Sequence, residues 1–287
     1  MTKKKIILWA CDYSDLTGEG SLAKKFVKDV FSRRNIKVET LKTNNYLNRK
    51  YLTPIIGIFY CWIHHLKGHK VGYINYLPLW NFIIFIFLPP GTLLGPITGG
   101  AKFEKSISIN YFVRAFIFPI FYKISELFLI IRKYRIIFST ELLIKYLSKH
   151  IINKSEFNFA LKNFKFSKKE KKKIDFLIYY RLHRNKSSFF NYNLIDNLVR
   201  SNFRILVVGD KLNIRGVKNL GYVSKKRLHK IQSFSKYTLC SKENIYSLFI
   251  LECISNHVKV VIEKKLNKKI KFLKKWFIPI KKLNLKK

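Results

Sequence analysis

The sequence has few acidic residues, few cysteines and no long apolar run. Its 287 residues contain 16 Asp and Glu against 57 Lys and Arg, with 4 Cys, 12 Gly and 7 Pro. The low Gly and Pro content, together with 48% hydrophobic residues, argues against a disordered chain and predicts substantial cores. No run approaches the roughly eighteen apolar residues of a membrane-spanning helix.

The residues that most often bind metals are scattered. Cys11, Cys61, Cys240 and Cys253 are far apart and lie among apolar residues, without the paired spacing of a zinc site. We expect them to be buried thiols in a reducing compartment, which indicates a cytoplasmic protein. The aspartates are isolated and form no Asp-x-Asp pair, so the sequence predicts no metal site and no cofactor.

The charge balance bears on possible partners. A formal charge of +41 is typical of proteins that bind nucleic acid or an anionic membrane. Lys, Asn, Ile, Phe and Tyr share A/T-rich codons, so base composition alone could produce much of the lysine excess. Domains that read DNA or RNA favour Arg over Lys, and Arg is the minority here. The composition therefore favours a peripheral position on an anionic membrane and argues against nucleic acid.

Alternating strand and helix patterns run through the first half of the chain. Strands are predicted at residues 6–11, 36–41, 71–77, 91–95 and 134–139, and helices at 21–31, 54–65, 78–88 and 140–150. The first strand, helix and second strand form a βαβ unit with Gly18 and Gly20 at its turn. This turn fits either a tight loop or a glycine loop that approaches a donor phosphate.

Residues 107–131 form a long aromatic and aliphatic segment that contains Pro119. We interpret it as a core helix kinked at the proline. The alternative is an interfacial helix that presents Phe and Ile to lipid. A lysine-rich run at residues 166–173 then separates two apolar regions, so we place a domain boundary between residues 1–165 and 166–287.

The most informative stretch covers residues 237–262. It predicts a strand at 237–240, a polar loop, a helix at 247–255 and a second strand at 258–262. Glu243 and Glu252 bracket the beginning of this helix. The carboxyl edge of a parallel sheet is where open α/β folds bind ligands, and carboxylates there can accept hydrogen bonds from sugar and ribose hydroxyls.

The stretch resembles the signature of the large family 4 of retaining, nucleotide-sugar-dependent glycosyltransferases, in which a loop Glu precedes a helical Glu and a Val-Val strand. Three further segments resemble that family in the same order. Residues 174–186 resemble its Gly-Arg-Leu…Lys-Gly loop through Arg181 and Lys186. Residues 204–210 form a strand closing on Gly209, and residues 217–223 contain Tyr222 in a Leu-Gly-Tyr-Val motif.

The resemblance implies a GT-B fold, an α/β architecture in which two Rossmann-like domains with parallel sheets face a central cleft. It implies a retaining, metal-independent glycosyltransferase that moves a sugar from a nucleotide-diphosphate donor to a glycan or lipid-linked acceptor, as in cell-surface polysaccharide synthesis. Arg181, Lys186 and Glu243 are its implied catalytic residues. The implied donor-binding residues are Glu252, Gly18, Gly20, Gly209, Tyr222, Asn244, Ser247 and Leu248.

Two departures from the family pattern favour an alternative. The glycine that usually follows the first Glu is absent here, and no His follows the strand at residues 91–95. A non-catalytic basic protein on a glycosyltransferase-derived scaffold, binding a membrane surface or nucleic acid, would explain both departures. Nucleotide-sugar hydrolysis separates the two hypotheses, and steeply salt-dependent binding to any duplex would identify a nucleic-acid binder.

Overall fold

The chain divides into two compact units, Met1–Lys162 (unit 1) and Asn163–Lys287 (unit 2). The computed structural model describes residues 6–15, 17–31, 36–39, 52–99, 109–162, 164–182, 190–240, 244–264, 266, 270–280 and 283. The division falls three residues before the boundary that the lysine-rich run suggested.

Unit 1 contains a four-stranded parallel sheet in the order β2-β1-β3-β4 and a separate parallel pair, β5-β6. The strands are β1 (Ile6–Trp9), β2 (Ile36–Glu39), β3 (Lys70–Tyr73), β4 (Leu93–Leu94), β5 (Ile136–Ile137) and β6 (Ser155–Glu156). All four residues of β1 are buried, as expected of a parallel strand covered on both faces. The predicted βαβ unit at the amino end is therefore present.

The helices of unit 1 surround these strands. They are α1 (Gly18–Phe31), α2 (Thr53–Leu66), α3 (Phe82–Phe87), α4 (Ile109–Phe112), α5 (Phe118–Ile131) and α6 (Lys149–Lys154). A π-helical turn, Val113–Ile117, joins α4 to α5. The sequence predicted one helix kinked at Pro119, and the structure places Pro119 in the first turn of α5, directly after this π-helical turn.

The helix predicted at residues 140–150 is wrong. Residues 144–146 form a 3-10 turn, and α6 begins at Lys149 with Ser148 as its N-cap. The Ser148 hydroxyl accepts a hydrogen bond from the Ile151 N–H at 3.4 Å, while the Ser148 N–H donates to Glu126 Oε1 at 2.6 Å. This contact with α5 fixes the N-cap and prevents the helix from starting earlier, and the sequence pattern does not reveal it.

Unit 2 contains a six-stranded parallel sheet in the order β12-β11-β10-β7-β8-β9. Its strands are β7 (Ile174–Tyr180), β8 (Ile205–Gly209), β9 (Lys218–Asn219), β10 (Ser235–Leu239), β11 (Lys259–Ile262) and β12 (Phe277–Pro279), and its main helices are α7 (Tyr192–Arg200), α8 (Lys225–Phe234) and α9 (Leu248–Ser255). The prediction of an α/β fold with parallel sheets is confirmed in both units.

In the described ranges, no helix is both long and apolar enough to cross a membrane.

Candidate functional site

The candidate site lies at the carboxyl edge of the sheet in unit 2. Because all six strands are parallel, the segments that follow β7, β8 and β10 leave the sheet at the same edge. Arg181 follows β7 directly, Gly209 ends β8, and the loop after β10 leads into α9. The sequence-predicted residues of this half that the structure describes are therefore grouped at one edge.

Asp210 ties two of these segments together. Its Oδ2 accepts a hydrogen bond from the Leu182 N–H at 2.7 Å, and its Oδ1 accepts one from the Tyr222 hydroxyl at 2.7 Å. Burial of the hydroxyl and then its hydrogen bond to Asp210 raise the pKa of Tyr222, and the charge of Arg181 opposes this shift. Asp210 thus holds the segment that carries Arg181 beside Tyr222. Asp210 could have been identified as a site residue from the sequence, because it directly follows a buried strand.

Gly209 occupies a position that excludes a side chain. Its φ is +100°, and a Cβ there would lie 2.2 Å from the Tyr180 carbonyl oxygen. Its N–H donates to the Gly221 carbonyl at 3.0 Å. The glycine therefore lets β8 close against the end of β7 and against the turn before Tyr222. Its proposed contact with a donor stays a prediction.

An aromatic pair, which the sequence analysis missed, links the end of β7 to the beginning of α9. The rings of Tyr179 and Phe249 are stacked with centroids 5.3 Å apart and planes 29° apart. Tyr179 remains 38% exposed, whereas the next residue, Tyr180, is buried. Neighbouring residues of a strand point to opposite faces of the sheet, so the sequence could have indicated that Tyr179 and Tyr180 lie on different faces. The pair provides an apolar surface next to the polar groups of the edge.

The loop before α9 is held by two of the predicted donor-binding residues. The Ser247 hydroxyl accepts a hydrogen bond from the Ile250 N–H at 3.4 Å and caps the helix, while Asn244 Oδ1 accepts one from the Tyr246 N–H at 3.1 Å. Leu248 is the first helical residue. These side chains shape the beginning of the helix, whose N-terminus carries partial positive charge. Lys186 and Glu243 lie outside the described residues.

Glu252 lies just over one turn into α9 and faces α8. Its side chain is 34% exposed, and its Oε1 lies 3.9 Å from Lys225 Nζ. Burial raises the pKa of Glu252, while Lys225, Gln232 and His229 of α8 oppose that shift. Lys225 is the first residue of α8, which begins after β9 at the same edge of the sheet. Glu252 is therefore a partly desolvated acceptor that a polyol could reach.

Gly18 and Gly20 lie in unit 1, in the first turn of α1, which begins three residues before the predicted helix at 21–31. Asp12 accepts hydrogen bonds from the Ser14 N–H at 2.8 Å and from the Thr17 hydroxyl at 2.6 Å, and Thr17 Oγ1 accepts one from the Gly20 N–H at 2.9 Å. A Cβ on Gly20 would lie 2.3 Å from the Ser14 carbonyl oxygen, whereas one on Gly18 would meet nothing within 4 Å. Close packing of the turn thus accounts for Gly20, and a phosphate contact at either glycine stays a prediction.

Among the residues that the structure describes, no group of three or more His, Cys, Asp and Glu is arranged to hold a metal ion. The four cysteines are unpaired, with Cys11, Cys61 and Cys253 buried and Cys240 partly so. Burial raises the pKa of Cys11, Cys61 and Cys240 to about 12, so these thiols stay protonated at neutral pH.

No protein-family model matches the chain, and no curated protein is significantly similar to it in sequence. Several solved structures are similar in fold. The UDP-GlcNAc 2-epimerase of Methanocaldococcus jannaschii, in complex with UDP-GlcNAc and UDP, is 9% identical over 96% of this chain and 88% of its own, with a TM-score of 0.47. The Neisseria meningitidis UDP-GlcNAc 2-epimerase bound to UDP-GlcNAc is 10% identical over 90% and 82%, with a TM-score of 0.46.

The E. coli heptosyltransferase WaaC, with ADP-2-deoxy-2-fluoro heptose, is 10% identical over 96% of this chain and 92% of its own, with a TM-score of 0.33. All three structures are nucleotide-sugar enzymes. Their TM-scores are below 0.5, and the likeness concerns the fold alone.

Proposed function

We propose that the chain is a retaining glycosyltransferase of the family 4 type, which transfers a sugar from a nucleotide-diphosphate donor to a glycan or lipid-linked acceptor. The observation that carries this proposal is the grouping of Arg181 and Glu252 at the carboxyl edge of one parallel sheet. The cation follows one strand, and the carboxylate lies on the helix that follows the neighbouring strand. The cation matches the negative diphosphate of a nucleotide-sugar donor, and the carboxylate can accept hydrogen bonds from the neutral ribose hydroxyls.

Arg181 would bind the donor diphosphate. The Leu182 N–H donates a hydrogen bond to Asp210, and this bond fixes the backbone from which the exposed Arg181 side chain extends. As the bond to the sugar breaks, negative charge builds up on the leaving diphosphate, and a positioned cation stabilises that charge. Lys186 would add a second cation. The positive N-terminal end of α9 would contribute in the same direction, as at many phosphate-binding helices.

Glu252 would hold the ribose of the donor. A carboxylate can accept two hydroxyl hydrogen bonds at once, and Glu252 is both partly desolvated and partly exposed. Glu243 would contact hydroxyls of the transferred sugar, and Asn244 and Ser247 would shape the loop between the two acids. The stacked Tyr179 and Phe249 rings could support an apolar part of the donor.

We propose that transfer needs no divalent metal. The described residues contain no acidic cluster that could hold one, and Arg181, Lys186 and the helix N-terminus together would supply the positive charge that a metal provides in other glycosyltransferases. The formal charge of +41 favours binding of the protein to the cytoplasmic face of an anionic membrane, where lipid-linked acceptors are found.

Hydrolysis of donors tests this function without knowledge of the acceptor. The protein is incubated with a panel of nucleotide-diphosphate sugars, and release of the nucleoside diphosphate is measured. We expect one donor to be turned over slowly, with the sugar released in the anomeric configuration of the donor. Absence of both turnover and binding across the panel would favour the non-catalytic scaffold instead.

A further inference from the structure

Unit 1 exposes large apolar side chains over a continuous part of its helical layer. Of the 21 large hydrophobic side chains that are exposed in the described part of the chain, 15 lie between residues 52 and 131. Soluble monomers scatter such side chains or confine them to patches of about 300–600 Å². Such a concentration marks a surface that contacts something apolar.

The exposed apolar side chains of α2, together with its N-cap Leu52, form one stripe. They are Leu52, Ile55, Ile56, Phe59, Ile63 and Leu66, with exposures from 39% to 78%. Their spacing of mostly three and four residues places them on one side of the helix, and the opposite side buries Gly57, Ile58 and Cys61. The outward side, which is polar in an ordinary surface helix, is apolar here.

The segment from α4 to α5 repeats this arrangement. One side buries Tyr122, Ser125, Glu126 and Leu129, as a core helix does. The other side exposes Ile109, Phe112, Phe116, Ile120, Leu127 and Ile131, again mostly in steps of three or four. The predicted core packing is therefore correct for one face, whereas the other face exposes Phe and Ile, and the interfacial alternative for it stays a prediction. Helix α3 adds Ile83 and Phe87, at 48% and 57% exposure.

Helix α3 joins the two stripes. The Trp62 indole N–H of α2 donates to the Phe87 carbonyl at 2.6 Å, and Arg132, after α5, donates to the Ile86 carbonyl at 2.6 Å. On the other side of α3, the rings of Phe82 and Phe121 lie 4.9 Å apart. The exposed side chains of α2, α3 and α4–α5 thus belong to three neighbouring segments, and we call them together the apolar face.

Positive charge borders the apolar face. In its described parts, residues 52–99 and 109–140, this region contains seven Lys and Arg and one acid, Glu126. Glu126 is buried, and its Oε2 lies 2.9 Å from Lys123 Nζ. Lys67 follows the 78%-exposed Leu66. At the other stripe, an open depression of about 420 Å³ is lined by Pro119, Ile120, Lys123, Lys145, Tyr146 and Leu147.

We propose that the apolar face inserts into the head-group and acyl boundary of an anionic bilayer, with Lys67, Lys123 and Lys145 at the level of the lipid phosphates. Interfacial helices bury their apolar side about 5–10 Å into this boundary while cations contact the anionic head groups. Lys123 and Lys145 line the open depression beside Ile120, so an anionic head group there would meet two cations. The inference extends the membrane part of the proposed function, and its test does not depend on sugar transfer.

The charge pattern favours lipid over a second copy of the chain. Two copies that met through the apolar face would bring their lysine borders together, and Glu126, the one acid in residues 52–99 and 109–140, is buried beside Lys123. Like charges brought together in this way oppose association. An anionic bilayer satisfies the apolar and the cationic parts of the surface at the same time.

The test is vesicle partitioning of the full chain, with phosphatidylcholine vesicles that contain or lack phosphatidylglycerol, at 0.1 M and 1 M salt. The main variant, Phe59→Gln/Phe87→Gln/Phe116→Gln, changes one exposed residue on each segment. Phe272→Gln, at a 40%-exposed position in unit 2, is the matched control. A second variant, Lys67→Gln/Lys145→Gln, removes border charge and leaves the buried Glu126 paired. Circular dichroism melting checks that every variant is folded.

We expect wild type and Phe272→Gln to bind anionic vesicles and to stay partly bound at 1 M salt, because insertion is not screened. The triple Phe variant should bind at least tenfold more weakly and lose the salt-resistant fraction. The double Lys variant should lose about fivefold per cation at 0.1 M salt. Complete release of wild type by 1 M salt would overturn the proposal. So would equal binding by the triple Phe variant, or a wild-type dimer that this variant converts to monomer.

Discussion

Replacing Glu252 with Gln separates a ribose-binding role from a structural one, because the amide keeps the shape and removes the charge. Glu252 Oε1 lies 3.9 Å from Lys225 Nζ, and the two side chains are 34% and 46% exposed. A long ion pair between partly exposed groups contributes about 0–1 kcal/mol to stability. Burial raises the pKa of Glu252, so ionisation of this carboxyl opposes folding. We therefore expect Glu252→Gln to melt at or slightly above the wild-type temperature at pH 7.

Donor binding should respond much more strongly. A hydrogen bond to a charged group contributes about 1.5–3 kcal/mol, and in Glu252→Gln the ribose hydroxyls would meet a neutral amide instead of a carboxylate. We expect the donor KM to rise about tenfold or more, on the order of 1.4 kcal/mol, with a smaller change in kcat because the ribose is remote from the reacting bond. Steady-state kinetics and melting curves on the same preparation give both quantities.

The matched control is Glu156→Gln in unit 1. Hydrogen bonding to Arg135 lowers the pKa of Glu156, so its ionised form stabilises the fold. This contribution is present above the unfolded pKa and is lost as the pH falls through the folded value. For Glu252 the sign is reversed: the stability is present below the unfolded pKa and is lost as the pH rises through the folded one. Raising the pH from 4 to 7 should therefore favour Glu252→Gln over wild type and disfavour Glu156→Gln.

A lower melting temperature of Glu252→Gln at pH 7 together with an unchanged donor KM would refute the reasoning. Glu252 would then be a structural residue that complements the helix dipole, an effect of about 0.3–1 kcal/mol. An equal rise in KM for Glu156→Gln would show that the assay reports net charge and not a site.

Three further predictions concern the same edge of the sheet. Arg181→Ala and Lys186→Ala should each lower kcat/KM by an amount that corresponds to about 2–4 kcal/mol, without loss of fold. Near-wild-type turnover by either variant would remove that cation from the mechanism. The control is Arg200→Ala, which changes an exposed cation at the end of α7. Tyr222→Phe should cost about 0.5–1.5 kcal/mol of stability by removing the bond to Asp210, and an unchanged melting temperature would show that Asp210 does not need it. Turnover should survive excess EDTA, and loss restored by magnesium or manganese would contradict metal independence.

Much of unit 2 was predictable from its sequence. The apolar run that ends at Arg181, the buried run at 204–210 and the β-branched run at 258–262 predicted strands, and the helical spacing at 247–255 predicted α9, which the structure places at Leu248–Ser255. These elements are specified by local patterns, and parallel pairing then fixes which ends share an edge.

The contacts between distant segments could not be predicted. Asp210 binds Leu182 and Tyr222, residues 28 and 12 positions away, and no local pattern selects these partners. In the same way, Glu126 fixes the N-cap of α6 across 22 residues, and this moved a helix that the sequence placed too early.

The extent of the apolar face was missed for a different physical reason, since the sequence analysis weighed an interfacial helix only for residues 107–131. A helix that is apolar on all sides is ordinarily buried, so the composition of α2 and α4–α5 favoured the core. The sequence cannot say how many sides of such a helix are covered, because the answer depends on how many elements pack around it. Here Phe59 and Phe116 remain 65% and 59% exposed while Cys61 and Tyr122 on the same segments are buried.

Titration calorimetry at physiological salt tests the central claim most directly. Wild type is titrated with UDP, ADP, GDP and CDP, with inorganic pyrophosphate as a control for charge alone, and the titrations are repeated with Arg181→Ala. Our account predicts that at least one nucleoside diphosphate binds more tightly than pyrophosphate and that Arg181→Ala weakens this binding about tenfold or more, while Arg200→Ala does not. Equal binding of every diphosphate and pyrophosphate, unaffected by Arg181→Ala, would contradict a nucleotide-sugar site at this edge.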